Sequence, residues 1–187
     1  MAERSALEKR LADAIAVKEQ GNAYLKEGLF KKASFAYKSV HLHIGDLIDL
    51  PPAHASPNND QENDRFVQSF GRKRQPIDVD LQRRINEVYL ATQNNLALAH
   101  LKLGRNAEAA QCASTVLRAL PDNTKGLYRR ARARMCLGML DEAEADLDVL
   151  LRLVPMDPDG LAAREMLERL RYEAAVKEKK MFQKMFV

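Results

Sequence analysis

Apolar and small residues along this chain fall into a frame that reads as paired helices. The first pair runs through Val17-Lys18-Glu19-Gln20-Gly21-Asn22-Ala23-Tyr24, then Gly28-Leu29-Phe30-Lys31-Lys32-Ala33, then Tyr37 and Val40. The order is small residue, aromatic, glycine turn, aromatic, alanine, aromatic. The frame returns over Leu90 to Asn123, with Ala97, the turn glycine Gly104, Ala109 and a terminal Pro121. It returns again over Thr124 to Asp157, with Ala131, Gly138, Ala143 and Pro155. Gly104 and Gly138 are 34 residues apart, as are Ala109 and Ala143, and Pro121 and Pro155. Small residues let two helices approach closely, and the glycine supplies the turn between them. The proline stops the second helix because it has no N–H to donate. Each pair keeps an apolar face that only a neighbouring pair covers, so the pairs must stack.

This frame and its period resemble the tetratricopeptide repeat (TPR). The resemblance implies an all-α superhelix of three helix-turn-helix repeats with a right-handed groove. A single domain over 1–187 is expected, with repeat one at about 14–47, repeat two at 90–123 and repeat three at 124–157. Two departures interrupt the period. An insertion, roughly Asp46 to Asp80, contains Pro51, Pro52, Pro57 and Pro76 and the polar run from Ser56 to Asp64. It reads as a flexible loop flanked by extensions of the adjoining helices, with a short helical turn open around Arg65 to Phe70. After Pro158, Leu161, Met166, Leu167 and Leu170 continue at helical spacing, followed by Val176, Met181, Phe182, Met185 and Phe186. A seventh, long capping helix over about 158–186 is expected, its first half covering repeat three.

Composition narrows the function classes. The chain has 187 residues, 46% hydrophobic and 30% charged, the balance of a soluble globular or helical-repeat protein. Its net charge of +4 helps acidic partners approach. Positive charge is interspersed with acids and has no aromatic stacking surface, so nucleic acid is not an expected partner. The two cysteines, Cys112 and Cys136, form no CxxC pair, which points to a reducing compartment. No apolar run approaches the ~18 residues of a membrane span, so no membrane partner is expected and the reading is cytoplasmic, with nuclear access open through Arg72-Lys73-Arg74. His41 and His43, two apart on a helix, do not face each other, and no metal site is expected. No nucleophile elbow, phosphate loop or paired-acid arrangement occurs. The chain reads as no enzyme, with no catalytic residue and no cofactor.

The first helix of each repeat lines the concave face of a TPR stack. Lys18 and Asn22 are four apart on the first of these, Asn95 lies on the second, and Lys125 and Arg129 are four apart on the third. Three successive inner helices thus present cations and amides, with no acid at those places, a set suited to holding carboxylates. Taken singly, each cation also fits a solvated helix charge, and Asn22 and Asn95 also fit a bridge between neighbouring helices. Arg130 points about 100° away from Arg129 and reads as a structural charge.

The set Lys18-x3-Asn22, Asn95 and Lys125-x3-Arg129 resembles the dicarboxylate clamp of TPR co-chaperones. These bind the acidic C-terminal tails of heat shock protein 90 and heat shock protein 70. Lys125-Gly126-Leu127-Tyr128-Arg129-Arg130-Ala131 and the ending Lys177 to Phe186 are similar to the TPR domain of the large immunophilins. The insertion is similar to that of immunophilin-like co-chaperones and of the tetratricopeptide repeat protein 9 group. The resemblance implies a non-catalytic adaptor whose five clamp residues grip a chaperone tail. It does not imply prolyl-isomerase activity. The alternative is a scaffold that binds a folded partner through the insertion or the C-terminal helix. That helix is basic and amphipathic, with Lys177, Lys179, Lys180 and Lys184 beside Met and Phe. It suits calmodulin or another protein groove, or a second copy in a weak homodimer, with a monomer as the simpler state.

Overall fold

A computed structural model describes residues 2–50 and 77–185. The helical turn expected around Arg65 to Phe70 and the Arg72-Lys73-Arg74 patch lie outside them. The described chain is all-α. Its helices are α1 (Ala2–Lys26), α2 (Phe30–Ile44), α3 (Val79–Lys102), α4 (Asn106–Ala119), α5 (Thr124–Leu137), α6 (Leu140–Leu153) and α7 (Pro158–Met185). Each helix packs on the next. The odd-numbered helices also touch one another, α1 on α3, α3 on α5 and α5 on α7, so they form one layer and α2, α4 and α6 the other.

The turns within the three pairs are built alike. Gly28, Gly104 and Gly138 have φ of 74°, 71° and 78°, the left-handed region that favours glycine. In each, the glycine N–H donates three residues back, and the next N–H donates five residues back (Leu29 to Tyr24, Arg105 to His100, Met139 to Arg134, each 2.9 Å). These bonds satisfy the last carbonyls of the first helix and turn the chain into the second. Close approach within the first pair depends on Gly21. A Cβ there would lie 2.6 Å from a ring carbon of Tyr37, which is 1% exposed.

The helices differ in length, and this shapes the groove. α1 and α3 have 25 and 24 residues, whereas α4, α5 and α6 have 14 each. The first two inner helices therefore overhang the third pair by about ten residues, or about 15 Å. The overhang has its own core. Leu11 and Ala14 of α1, Val40 and Ile44 of α2, Leu47, and Leu81 and Ile85 of α3 are buried together, with Leu7 and Ile77 packed against them. Because Leu7 and Leu11 have this core to join, the first helix starts at Ala2 and not near Ala14.

The same packing orders both flanks of the expected insertion. Gly45–Leu47 forms a 3-10 turn. Gln82 donates to Leu47 O at 2.8 Å. Asn86 accepts from the Asp49 N–H at 3.1 Å and donates to Asp49 O at 2.6 Å. On the far side, Asp78 caps α3 by accepting from the N–H groups of Asp80 and Leu81. Residues 46–50 and 77–80, expected to be loop, are thus built against the overhang.

The first half of α7 covers the third pair. Gly160 is buried against Leu150 and Leu151, and Ala163 and Leu167 join a core with Ala131, Leu147 and Leu150. Farther along, Tyr172, Met181 and Phe182 are exposed. No helix of the described residues is long and apolar enough to cross a membrane.

Gly21→Ala is expected to cost about 1–3 kcal/mol by overpacking against Tyr37. Urea unfolding reads this directly, and an unchanged midpoint would mean that the α1–α2 contact has slack.

Candidate functional site

The odd-numbered helices turn their polar stripe away from α2, α4 and α6, and the groove forms along α3 between its neighbours. Leu90, Ala91, Val116 and Leu120 give it an apolar floor, and Asn94, Asn95, Asn123, Lys125 and Arg129 line one end of it. Its volume is about 1140 Å³.

Arg129 sets the electrostatics of that end. Its guanidinium donates to the backbone carbonyl of Asn94 at 2.6 Å and to Asn94 Oδ1 at 2.8 Å. Asn94 in turn donates to Asn123 Oδ1 at 3.0 Å, and that oxygen also accepts from the Gly126 N–H at 2.8 Å. Asn123 is thus both the N-cap of α5 and the link that ties α5 to α3. Burial pulls the Arg129 pKa below its ordinary value, and among the described residues no carboxylate pairs with it. A partly buried cation facing only neutral oxygens is electrostatically incomplete. Lys125, one turn earlier, is exposed and has no ion pair among the described residues either.

The next residue shows the contrast. Arg130 points to the other side of α5 and grips Asp146 of α6 through Nε at 2.9 Å and a terminal nitrogen at 2.6 Å. Arg134 reaches the same carboxylate at 2.5 Å. The Asp146 side chain is 4% exposed. Two arginines one turn apart satisfy one buried acid, so this cluster holds α5 to α6.

On α1 the arrangement is tighter than a free cation beside a free amide. Asn22 Oδ1 accepts from the Tyr37 hydroxyl at 2.7 Å and from Asn95 Nδ2 at 2.8 Å. Burial pushes the Tyr37 phenol up to about 12, so it stays protonated and donates. The two asparagines therefore bridge α1 and α3 in the structure, the role left open for them beside ligand contact. Asn22 Nδ2 donates to Glu19 at 3.0 Å, and the Lys18 ammonium lies 3.0 Å from the other Glu19 oxygen. Those two groups hold the Glu19 carboxyl below the usual carboxylate range, Asn22 contributing most. None of the five positions is an acid, but a neighbouring acid engages two of them. Glu19, next to Lys18 and three before Asn22, reaches both because one helical turn brings the positions together. Asn95, Lys125 and Arg129 line the groove volume itself, while Lys18 and Asn22 stand beside it, joined to it through Asn95.

Comparisons with known proteins agree with this architecture. No protein-family model matches the chain. The peptidyl-prolyl cis-trans isomerase FKBP4 of Mus musculus is 27% identical over 170 residues, covering 91% of this chain and 31% of that protein. The chain thus spans about a third of the length of the curated relatives it matches most fully. Among solved structures, the C-terminal TPR-containing domain of a Plasmodium falciparum FK506-binding protein superposes with a TM-score of 0.68 at 24% identity, covering 90% of this chain and 95% of that one. The second TPR domain of human RPAP3, in complex with the HSP70 peptide SGPTIEEVD, gives 0.58 at 21% identity, covering 85% and 98%. The first TPR of Spaghetti, bound to the HSP90 peptide SRMEEVD, gives 0.55 at 22% identity, covering 87% and 93%. The chain folds as a tetratricopeptide-repeat domain.

In this TPR domain, three groups at the groove escaped the sequence reading: Glu19, Asn94 and Asn123. Asn123 had a usable signal, an asparagine directly before a helix start. Asn94 had none, since an amide beside Asn95 points to a different face until the neighbouring repeat is placed against it. Among the described residues, no group of three His, Cys, Asp or Glu is placed to hold a metal ion.

The two neighbouring arginines of the TPR domain are expected to respond oppositely to removal. Arg130→Met should lower stability by about 2–3 kcal/mol, because Asp146 stays buried with one cation fewer. Arg129→Met should stay within about 1 kcal/mol of the parent, since lost hydrogen bonds offset a relieved buried charge. Urea denaturation of both variants checks this, and an equal loss would show that Arg129 is as structural as Arg130.

Proposed function

We propose that this TPR domain is a non-catalytic co-chaperone adaptor that binds the acidic C-terminal tail of heat shock protein 90 or heat shock protein 70. Lys18, Asn22, Asn95, Lys125 and Arg129 form the carboxylate grip. The observation that carries this reading is Arg129, a partly buried cation at the groove whose charge meets no acid among the described residues. A ligand carboxylate would supply the missing counter-ion, with Lys125 beside it. The peptides bound by two structural neighbours end in Glu-Glu-Val-Asp, an acidic tail of the required chemistry. On the α1 side an incoming carboxylate would displace Glu19 from Lys18 and Asn22, so these groups exchange one acid for another. The apolar floor of Leu90, Val116 and Leu120 would take the side chains between the acids.

A charge-assisted hydrogen bond contributes roughly 1.5–3 kcal/mol. Lys125→Ala or Arg129→Ala is therefore expected to weaken binding of an acidic C-terminal peptide by about ten- to a hundredfold. Amidation of the peptide terminus should do the same, and added salt should weaken binding further. Titration calorimetry decides it: affinity unchanged by either substitution and by amidation would defeat the grip.

A second reading rests on the exposed Tyr172, Met181 and Phe182 of α7. Here the domain is a scaffold that holds a folded partner by its C-terminal helix. Capture of a partner that survives Lys125→Ala but is lost on deleting 177–187 would favour it.

A further inference from the structure

The groove continues well past the five grip residues, and its far end has a different character. It runs along the overhanging half of α3, where Gln82, Arg83, Asn86 and Glu87 line it together with Asp49, Ile77 and Val79. This shelf exists because α3 starts about three turns before the third pair begins. Its charges are unequal in availability. Arg83 is paired with Glu87 at 2.9 Å and lies 3.6 Å from Asp80, one cation shared by two carboxylates, so the three together stay acidic. Asp49 is different. Its backbone is pinned on both sides by Asn86, and its carboxylate has no ion pair among the described residues. Among the described residues the groove therefore has cations at one end, an apolar floor in the middle and an excess of carboxylate, Asp49 included, at the other end.

We infer that the shelf selects among acidic tails by reading a cation upstream of the carboxylates, with Asp49 as its acceptor. This deepens the tail-binding reading above and rests on it. The lengths agree. Asn95 and Asn86 are nine residues apart on α3, about 13.5 Å. An extended peptide covers that distance in about four residues at ~3.3 Å each. A chain whose last residue sits at Asn95 and Arg129 thus brings the residue four before its last alongside Asn86, whose side chain bonds to Asp49, and the residue five before its last about 3 Å farther along the shelf. In SRMEEVD, the residue five before the last is arginine; in SGPTIEEVD it is threonine. The shelf accordingly favours the first tail, and the apolar residue next to that position, Met or Ile, falls beside Asn86 in both.

The test is calorimetry on the whole chain with three peptides: SRMEEVD, the same peptide with alanine in place of arginine, and SGPTIEEVD. An exposed ion pair is worth about two- to fivefold in affinity. The arginine tail is expected to bind that much more tightly than the other two. Asp49→Asn should remove the difference while leaving the affinity for the alanine tail unchanged, and Asp49→Lys should invert it. Equal affinity for the arginine and alanine tails, with Arg129→Ala still weakening both, overturns this inference alone. A preference that persists in Asp49→Asn also overturns it. Failure of every tail to bind the unaltered protein defeats the carboxylate grip and this inference with it.

Discussion

The packing of one helix pair against the next is the constraint on which the molecule depends. A pair of short helices has too little apolar area to fold alone, and it becomes stable only where a neighbour covers its open face. That requires backbones to come close, which is why Ala33, Ala97, Ala109, Ala131 and Ala143 stand at the contacts, and why Gly21 lies under the Tyr37 ring. It also requires turns that reverse the chain without spending residues, provided by the three left-handed glycines. α7 ends the stack by covering the third pair with Ala163 and Leu167.

Stacking creates a layer of inner helices, and the electrostatics of that layer follow from which charges find partners inside the protein. α5 carries a row of cations. Those turned toward α6 converge on buried Asp146 and are spent on holding the pair together. Those turned toward the groove meet, among the described residues, the amide and carbonyl of Asn94 and no acid. One helix therefore divides its positive charge between structure and availability, and about 100° of rotation between Arg129 and Arg130 makes the difference. The asparagines mediate this. Asn94 and Asn123 fix Arg129 from α3 and from the α5 cap, while Asn22 and Asn95 lock α1 to α3 through the Tyr37 hydroxyl.

The overhang of α1 and α3 adds a second consequence. Extra turns on these helices would expose apolar surface unless something covered it, and Leu47, Ile77 and the end of α2 do so. The covered side becomes a small additional core. On the side facing the third pair, α4 and α5 are too short to reach it, and it becomes the shelf of the groove. Length mismatch between repeats thus converts a plain TPR groove into a longer one with a distinct end.

Much of this was legible in the residues. The period of 34, the turn glycines, the terminating prolines and the long last helix all came from local rules of backbone conformation and helical spacing, which depend on neighbours a few positions away. The placement of Lys18, Asn22, Asn95, Lys125 and Arg129 on inner helices followed from the same register. Glu19 was visible but passed over, since helical neighbours share partners as well as faces. What only the tertiary structure decided was which polar groups are already satisfied. Asn22 meets Asn95 across 73 residues of chain, Arg129 meets Asn94 across 35, and Asp49 meets Asn86 across 37. Residue types and periodicity determine the helices and the faces they present. The balance of charge on a face is set by contacts between helices distant in sequence, and those exist only once the stack has formed.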